Sequence, residues 1–295
     1  MASFLQQIVS GLASGGIYGS LALALVLIHR ATGVINFAQG EMATFSTYVL
    51  WTLTHNHGWP YWPAAAFTLV VSFAGGVGIH QLAIRPVERG SVLRVVIVTI
   101  GLLLTLNGLV TWIWGGSQQT LQSPFPTRTV DVAGVVISLQ DLGTIGVSIG
   151  TVVVLWLFFR FTKLGLALRA AATNPAEARL VGVRVAWMLG IGWGLAAVLG
   201  AIAGALAAPS LASLDPNLMQ AILIYAFAAA VLGGIDSPAG AVVGGLVLGV
   251  GLNLLGTYVD FVGAELRLPA ALAVILAVLL LRPSGLFGRS AVRRA

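Results

Sequence analysis

The sequence predicts an all-α, polytopic bundle of transmembrane helices, and three observations carry that reading. The chain is 58% hydrophobic and only 8% charged, where a soluble domain carries about 25% charged residues. Several uncharged stretches are long enough to cross a hydrocarbon core of about 30 Å, which takes roughly 20 residues. Basic residues gather in particular breaks between those stretches, as loops on one side of a membrane do. Residues 1–295 are therefore expected to form a single transmembrane domain, and a domain count from length does not apply.

Taken in order, the apolar runs place about nine spans (eight to ten) at 8–28, 40–54, 61–84, 95–114, 142–161, 186–208, 217–233, 239–259 and 268–282. The second, seventh and ninth are short for a full crossing. In the first, Gly11, Gly15 and Gly19 form a stripe of small residues, the kind that lets two helices approach closely. Gly240 and Gly244, then Gly245 and Gly249, repeat that spacing in the eighth. Beside the first glycine stripe runs a polar one, Ser10, Ser14 and Tyr18. Glu41 opens the second span, followed at helical spacing by Thr44, Tyr48 and Trp51; Thr99 and Asn107 lie in the fourth.

Ionised groups inside a membrane are costly and usually face a cavity. Ser14, Tyr18, Glu41, Thr44, Tyr48, Thr99 and Asn107 are accordingly the candidate lining of a translocation pathway, with Glu41 near its cytoplasmic end. Interhelical hydrogen bonding is the other reading of each. A mildly polar lumen of this kind suits a zwitterionic or neutral small solute.

Orientation follows from the basic residues. Arg30, Arg85, Arg89, Arg94, Arg160, Lys163, Arg169, Arg179, Arg184, Arg282, Arg289, Arg293 and Arg294 fall on one side of a nine-span alternation; Arg128 and Arg267 fall on the other. The N-terminus is expected outside and the C-terminus inside. Met1 to Ile28 holds no Lys or Arg, so no cleavable signal peptide is expected. The formal charge of +6 then reports loop placement, and nucleic acid is not an expected partner. The outer loop, at about 115–141, carries "TRTVDV" and "VVISLQ" on either side of Ala133 and Gly134, a pattern for a short β-hairpin. It is either a lid or a docking surface.

Enzymatic chemistry is poorly supported. The chain has no cysteine, which removes disulfides, thiolate metal sites and cysteine nucleophiles. The lone lysine, Lys163, sits in "RFTKLG", without the glycines or hydroxyl of a phosphate-binding loop. His55 and His57 are two apart in an outer loop, and His29 and His80 end separate spans, so no metal site is expected. "GLASGG" lacks a serine-protease spacing, and Asp236 has no partner carboxylate within a span; it is expected to cap the helix starting near Pro238. No cofactor is expected in this chain.

One cytoplasmic segment, at about 162–185, stands apart: "TKLGLALRAAATNPAEARLVGVR". Asn174 can accept from the third following N–H, Pro175 fits the first helical position, and Glu177 can reach back, which is a capping box. Gly182 supplies a stop. The resulting two-turn helix is expected to expose Ala178, Leu180 and Val181. So short a helix is marginal alone and needs a surface to pack on, either the bilayer interface or a soluble subunit.

Three stretches carry a resemblance. "GLASGGIYGSLALALVLIHRATGVINFAQGE", "LGLALRAAATNPAEARLVGV" and "AAAVLGGIDSPAGAVVGG" resemble, in order and over nearly the whole chain, permeases of branched-chain amino acid ABC importers of the LivH type. Asp236 departs from the family, where glycine is common. The resemblance implies an ABC-importer permease fold in a bacterial plasma (inner) membrane, forming half of a translocation pathway. It implies as partners a second related permease, two ATP-binding subunits that hold ATP and Mg, and an extracytoplasmic solute-binding protein. It also implies that Pro175 to Gly182 is the coupling helix that docks on the ATPase. A permease for urea or amides, and a stand-alone channel, are the competing readings.

Overall fold

A computed structural model describes residues 2–88, 90–126, 128–132, 134–259 and 266–288. Arg89, Arg289, Arg293, Arg294 and Ala133, used above for orientation and for the hairpin turn, lie outside the described residues. The helices are α1 (Ala2–Thr32), α2 (Gln39–Trp51), α3 (Tyr61–Ile79), α4 (Val92–Trp114), α5 (Leu139–Phe161), α6 (Lys163–Thr173), α7 (Pro175–Leu180), α8 (Val185–Leu211), α9 (Leu218–Gly233), α10 (Pro238–Tyr258) and α11 (Arg267–Leu281). π-helical turns at Thr52–Asn56 and His80–Ile84 extend α2 and α3. Strands β1 (Thr129–Val132) and β2 (Val135–Ser138) pair antiparallel, with Val132 opposite Val135 and Gly134 at φ +81° in the turn. The expected hairpin is present.

Every predicted span coincides with a helix, but the helices differ in reach. α1, α3 with its π-turn, α4, α5, α8 and α10 are long and apolar enough to cross a membrane. α9 and α11 are shorter apolar helices. α2 has 13 residues, about 20 Å of helix, well under a hydrocarbon core. Nearly all of α2 is buried, including Gln39, Glu41, Thr44 and Thr47. A helix enclosed by protein has no lipid face to keep apolar, which is how α2 carries so many polar groups.

The chain packs as two compact units, whose boundaries fall inside α1, α5 and α9. One comprises residues 1–26, 125–148 and 221–295. Here the α1 glycines meet α10. A Cβ added to Gly11 would come within 2.7 Å of Val250 Cα, and one on Gly15 within 2.7 Å of the Gly245 carbonyl oxygen. Gly245 and Gly249 answer from the α10 side. Gly240 and Gly244 face elsewhere: an added Cβ on either would strike the backbone of α9, at Gly233 or Ala229. One glycine-rich helix thus packs two neighbours by close backbone approach, where dispersion holds helices together. The α10 cap is Ser237, whose Oγ accepts from the Gly240 N–H at 3.0 Å. Asp236, expected in that role, stands one residue too early.

The second unit comprises residues 27–124 and 149–220. α8 is its buried axis, and both α2 and α3 pack on it. Gly76 of α3 lies against the Trp193 carbonyl and Ala197. Gly200 and Gly204 make room for Gln39, Ala43 and Thr47 of α2. The amide of Gln39 donates to the Ala196 carbonyl at 2.8 Å, fixing the start of α2. In contrast, α4 and α5 are buried over only 11% of their spans, as lipid-facing helices would be.

Candidate functional site

Two groups of predicted residues acquire a defined setting, both in the second unit. The first is the segment at 162–185. Thr162 caps α6, its hydroxyl accepting from the Gly165 N–H at 2.9 Å. Gly165 lets α6 turn back closely on α5, because a Cβ there would lie 2.6 Å from Phe159 Cα. Asn174 ends α6 and caps α7: its Oδ1 accepts from the Glu177 N–H at 3.3 Å, with Pro175 in the first turn. The reciprocal half of the capping box is not made. The Asn174 N–H donates instead to the Ala170 carbonyl at 3.0 Å, and Glu177 is exposed.

After α7 the chain turns through Gly182, at φ +83°, a conformation that favours glycine. The Val183 N–H then closes on the Ala178 carbonyl at 3.0 Å. Ala178 is buried with Ala171 and Val185, which corrects the expectation that it is exposed. A small side chain is what permits α6, α7 and the start of α8 to meet there. Leu180 and Val181 behave as expected, at 87% and 78% exposure. The segment is thus a short helix held by its inner face, with two aliphatic side chains projecting outward.

The second group surrounds Glu41. Its carboxylate is buried, and Oε2 accepts from Asn107 Nδ2 at 3.3 Å. The same amide nitrogen lies 3.1 Å from the Pro216 carbonyl and 3.3 Å from Asn217 Oδ1, which also accepts from Gln220 at 2.8 Å. No cation pairs with Glu41 among the described residues. One carboxyl group is therefore held inside the bundle by neutral amides alone. A cationic group brought beside it would favour its ionised form, since no charged partner stands by it among the described residues.

The depth of Glu41 differs from the expectation. Glu41 pairs with Asn107, and Tyr48 stacks on Trp114 with ring centroids 5.1 Å apart. The two helices run parallel, so Glu41 lies roughly 22 Å along α4 from Val92 and about 10 Å from Trp114. It sits well inside the span, away from the end that carries Arg94. The short α2 begins there because the segment before it is anchored by buried Asn36, whose Oδ1 accepts from the Ala38 N–H at 3.0 Å.

The remaining candidates are dispersed. Thr44 is buried and its hydroxyl has no hydrogen-bond partner among the described residues. Thr99 is buried but satisfied locally by the Val96 carbonyl at 2.9 Å. Ser14 and Tyr18 belong to the other unit, where the Tyr18 ring lies 4.9 Å from that of Tyr225. The sequence reading missed Gln39, Asn217 and Gln220. Asp215-Pro216-Asn217 is a turn signal, which does not report that Asn217 and Gln220, both exposed at the entry to α9, join the hydrogen bonds around Asn107.

Comparison with known proteins bears on the whole chain. The family described as "Branched-chain amino acid transport system / permease component" matches residues 7–282. The chain is 31% identical to the high-affinity branched-chain amino acid transport system permease protein BraD of Pseudomonas aeruginosa, over 99% of this chain and 98% of that one. It is 30% identical to the permease protein LivH of the corresponding Escherichia coli system, over 99% and 97%. Among solved structures, a chain of PsaBC from Streptococcus pneumoniae, in complex with a Fab, superposes with a TM-score of 0.52. That likeness covers 95% of this chain and 92% of the other at 14% identity, and speaks for the fold alone.

Proposed function

The chain belongs to the family of permease components of branched-chain amino acid transport systems, and from that membership we propose that it is the transmembrane permease subunit of an ATP-driven importer for branched-chain amino acids. The observation that carries this reading is ordered similarity along nearly the full length of both this chain and its relatives. Urea or amide transport and a stand-alone channel have no comparable support.

In this reading the chain forms half of the pathway beside a second, related permease, as a single domain in a bacterial inner membrane. It crosses about nine times, with the N-terminus outside and the C-terminus inside; α2, α9 and α11 complete the count as short or partial crossings. It carries out no catalysis and needs no cofactor. Two ATP-binding subunits hydrolyse ATP with Mg, and an extracytoplasmic binding protein delivers the solute.

In this reading the site residues fall into two groups. Leu180 and Val181 are the apolar face that α7 offers to an ATPase, and the Asn174 cap and the Ala178 contact hold that face in place. Glu41, Thr44, Tyr48, Thr99 and Asn107 of the second unit, and Ser14 and Tyr18 of the first, are the proposed lining of the pathway. Within it, Glu41 is the group that an α-ammonium would seek when the pathway opens.

Reconstitution tests the reading. Proteoliposomes holding this chain with its neighbouring permease, ATPases and binding protein should accumulate labelled leucine only with ATP. Equal leucine flux from this chain alone, without ATP, would instead establish a channel.

A further inference from the structure

Beside α7, the turn that follows α3 and the first residues of α8 enclose a cleft of about 770 Å³. Its charged side chains are Arg85, Arg179 and Arg184, against a single acid, Glu88. Glu88 is itself engaged, its Oε2 lying 3.3 Å from His80 Nε2. Arg85 Nη1 donates to Gln81 Oε1 at 2.9 Å, and Gln81 Nε2 donates to the Ala186 carbonyl at 3.3 Å. The two walls are thereby braced, and Arg85 is aimed.

Arg179 and Arg184 are exposed, and neither side chain makes a hydrogen bond or ion pair among the described residues. Three guanidinium groups around one opening repel each other and favour an anion between them. Their planar forks of N–H donors match phosphate oxygens in particular.

The position of the cleft narrows the choice of anion. α3 with its π-turn ends at Ile84, and α8 begins at Val185. The cleft therefore lies at the ends of two helices long and apolar enough to cross a membrane, where lipid headgroups would stand. Leu82 and Trp187 stand at 83% and 51% exposure near it, apolar surface of the kind that acyl chains cover, with an aromatic ring at headgroup level. Basic pockets between helix ends are where anionic headgroups bind.

We infer that this cleft binds the phosphate headgroup of an anionic phospholipid, with Arg179 and Arg184 on the phosphate and Arg85 beside them. The inference rests on the chain being a membrane protein and is independent of which solute it carries. Because Arg179 belongs to α7, a bound lipid would tie that short helix to the bilayer surface while Leu180 and Val181 remain free to dock.

The full chain, purified in mild detergent, can be titrated with phosphatidylglycerol, phosphatidylcholine and inorganic phosphate, with adducts read by native mass spectrometry. Wild type should prefer phosphatidylglycerol to phosphatidylcholine by roughly tenfold or more, the effect of two or three cations on one anionic headgroup. R179Q/R184Q should lose most of that preference, and R169Q, whose exposed arginine is outside the cleft, should keep it. If the double variant does not fold, R184K supplies the reading: charge without the fork should weaken the preference in part. An unchanged preference in R179Q/R184Q or R184K overturns the proposal. So does full displacement of phosphatidylglycerol by millimolar phosphate, which would assign the cleft to a soluble anion. Loss of ATPase copurification with lipid preference intact would assign it to a protein partner and overturn the proposal as well.

Discussion

Asn107 holds its side-chain amide 3.3 Å from the carboxyl of Glu41, joining two helices through a buried acidic group that no cation pairs with among the described residues. Glu41→Gln keeps the shape and a hydrogen-bonding group but removes the charge. The bundle should fold and assemble normally. Leucine uptake should fall by about tenfold or more, the worth of one hydrogen bond to a charged group. Uptake at the wild-type level, from a variant present in equal amount, would confine Glu41 to a packing role.

Asn107→Leu acts on stability rather than on charge. It removes one of the amide donors to the Glu41 carboxylate, leaving Gln220, and also removes contacts to Pro216 and Asn217. A loss of about 1–3 kcal/mol is expected for a buried acceptor that loses a donor. The double variant Asn107→Leu with Glu41→Leu should recover part of it, because no buried charge then remains. Thermal melts of the wild type, the two single variants and the double variant decide. A double variant whose loss equals the sum of the two single losses would mean that the two residues are not coupled.

The glycine seam between α1 and α10 gives a prediction with an internal control. A Cβ on Gly15 would sit 2.7 Å from the Gly245 carbonyl oxygen and 2.8 Å from Leu246 Cα. Both are backbone atoms, which cannot rotate away. Gly15→Val should therefore force the helices apart, at about 1–3 kcal/mol. Gly101→Ala on α4 meets open space and should leave stability unchanged or slightly raise it, alanine being the better helix former. Detergent melts in which both variants behave alike would contradict close packing as the reason for the α1 glycines.

How far the sequence could be read depended on what each signal measures. Long apolar runs gave every predicted span a helix, because hydrophobicity and length are all a lipid-facing span requires. The same measure could not tell a crossing helix from α2, which is apolar enough to count yet short and enclosed by protein. The cap at Asn174 and the stop at Gly182 were legible because both are local backbone requirements. Ala178 was not. Whether a small residue on a short helix faces in or out depends on α6 and α8, which no local pattern reports. Asn217 and Gln220 escaped for a related reason: a turn motif states where the chain bends, not which way its side chains point.

The absence of cysteine makes orientation directly measurable, since any thiol introduced is the only one. Gln118 is exposed in the loop after α4, and Thr173 is exposed at the end of α6. With thirteen basic residues proposed to face the cytoplasm, Gln118→Cys should react with an impermeant maleimide on intact spheroplasts. Thr173→Cys should react only after the membrane is opened. The reverse pattern would invert the topology and place α7 on the wrong side for an ATPase.

α7 offers the sharpest separation of folding from coupling, because two residues on opposite faces of this one short helix meet different surroundings. Leu180 is 87% exposed, whereas Ala178 is buried against Ala171 and Val185. Leu180→Asp changes nothing inside the protein, so the permease should insert, fold and melt as wild type. If this face docks on an ATPase, the substitution places a charge in an apolar contact. ATPase copurification should be lost, or hydrolysis should continue without uptake. Ala178→Asp should fail earlier: it buries a carboxylate among small apolar side chains and should dislodge α7 itself, lowering the yield of folded permease. Asn174→Ala lies between the two. Losing the cap costs about 0.5–2 kcal/mol of helix stability, so it should weaken ATPase binding without abolishing it and leave the membrane helices untouched. A helix that only rests on the bilayer predicts a different order, with Leu180→Asp loosening α7 and all three variants retaining a tightly bound, substrate-stimulated ATPase. Copurification of the ATPase with Leu180→Asp at wild-type stoichiometry, together with coupled leucine uptake, would remove α7 from the coupling pathway.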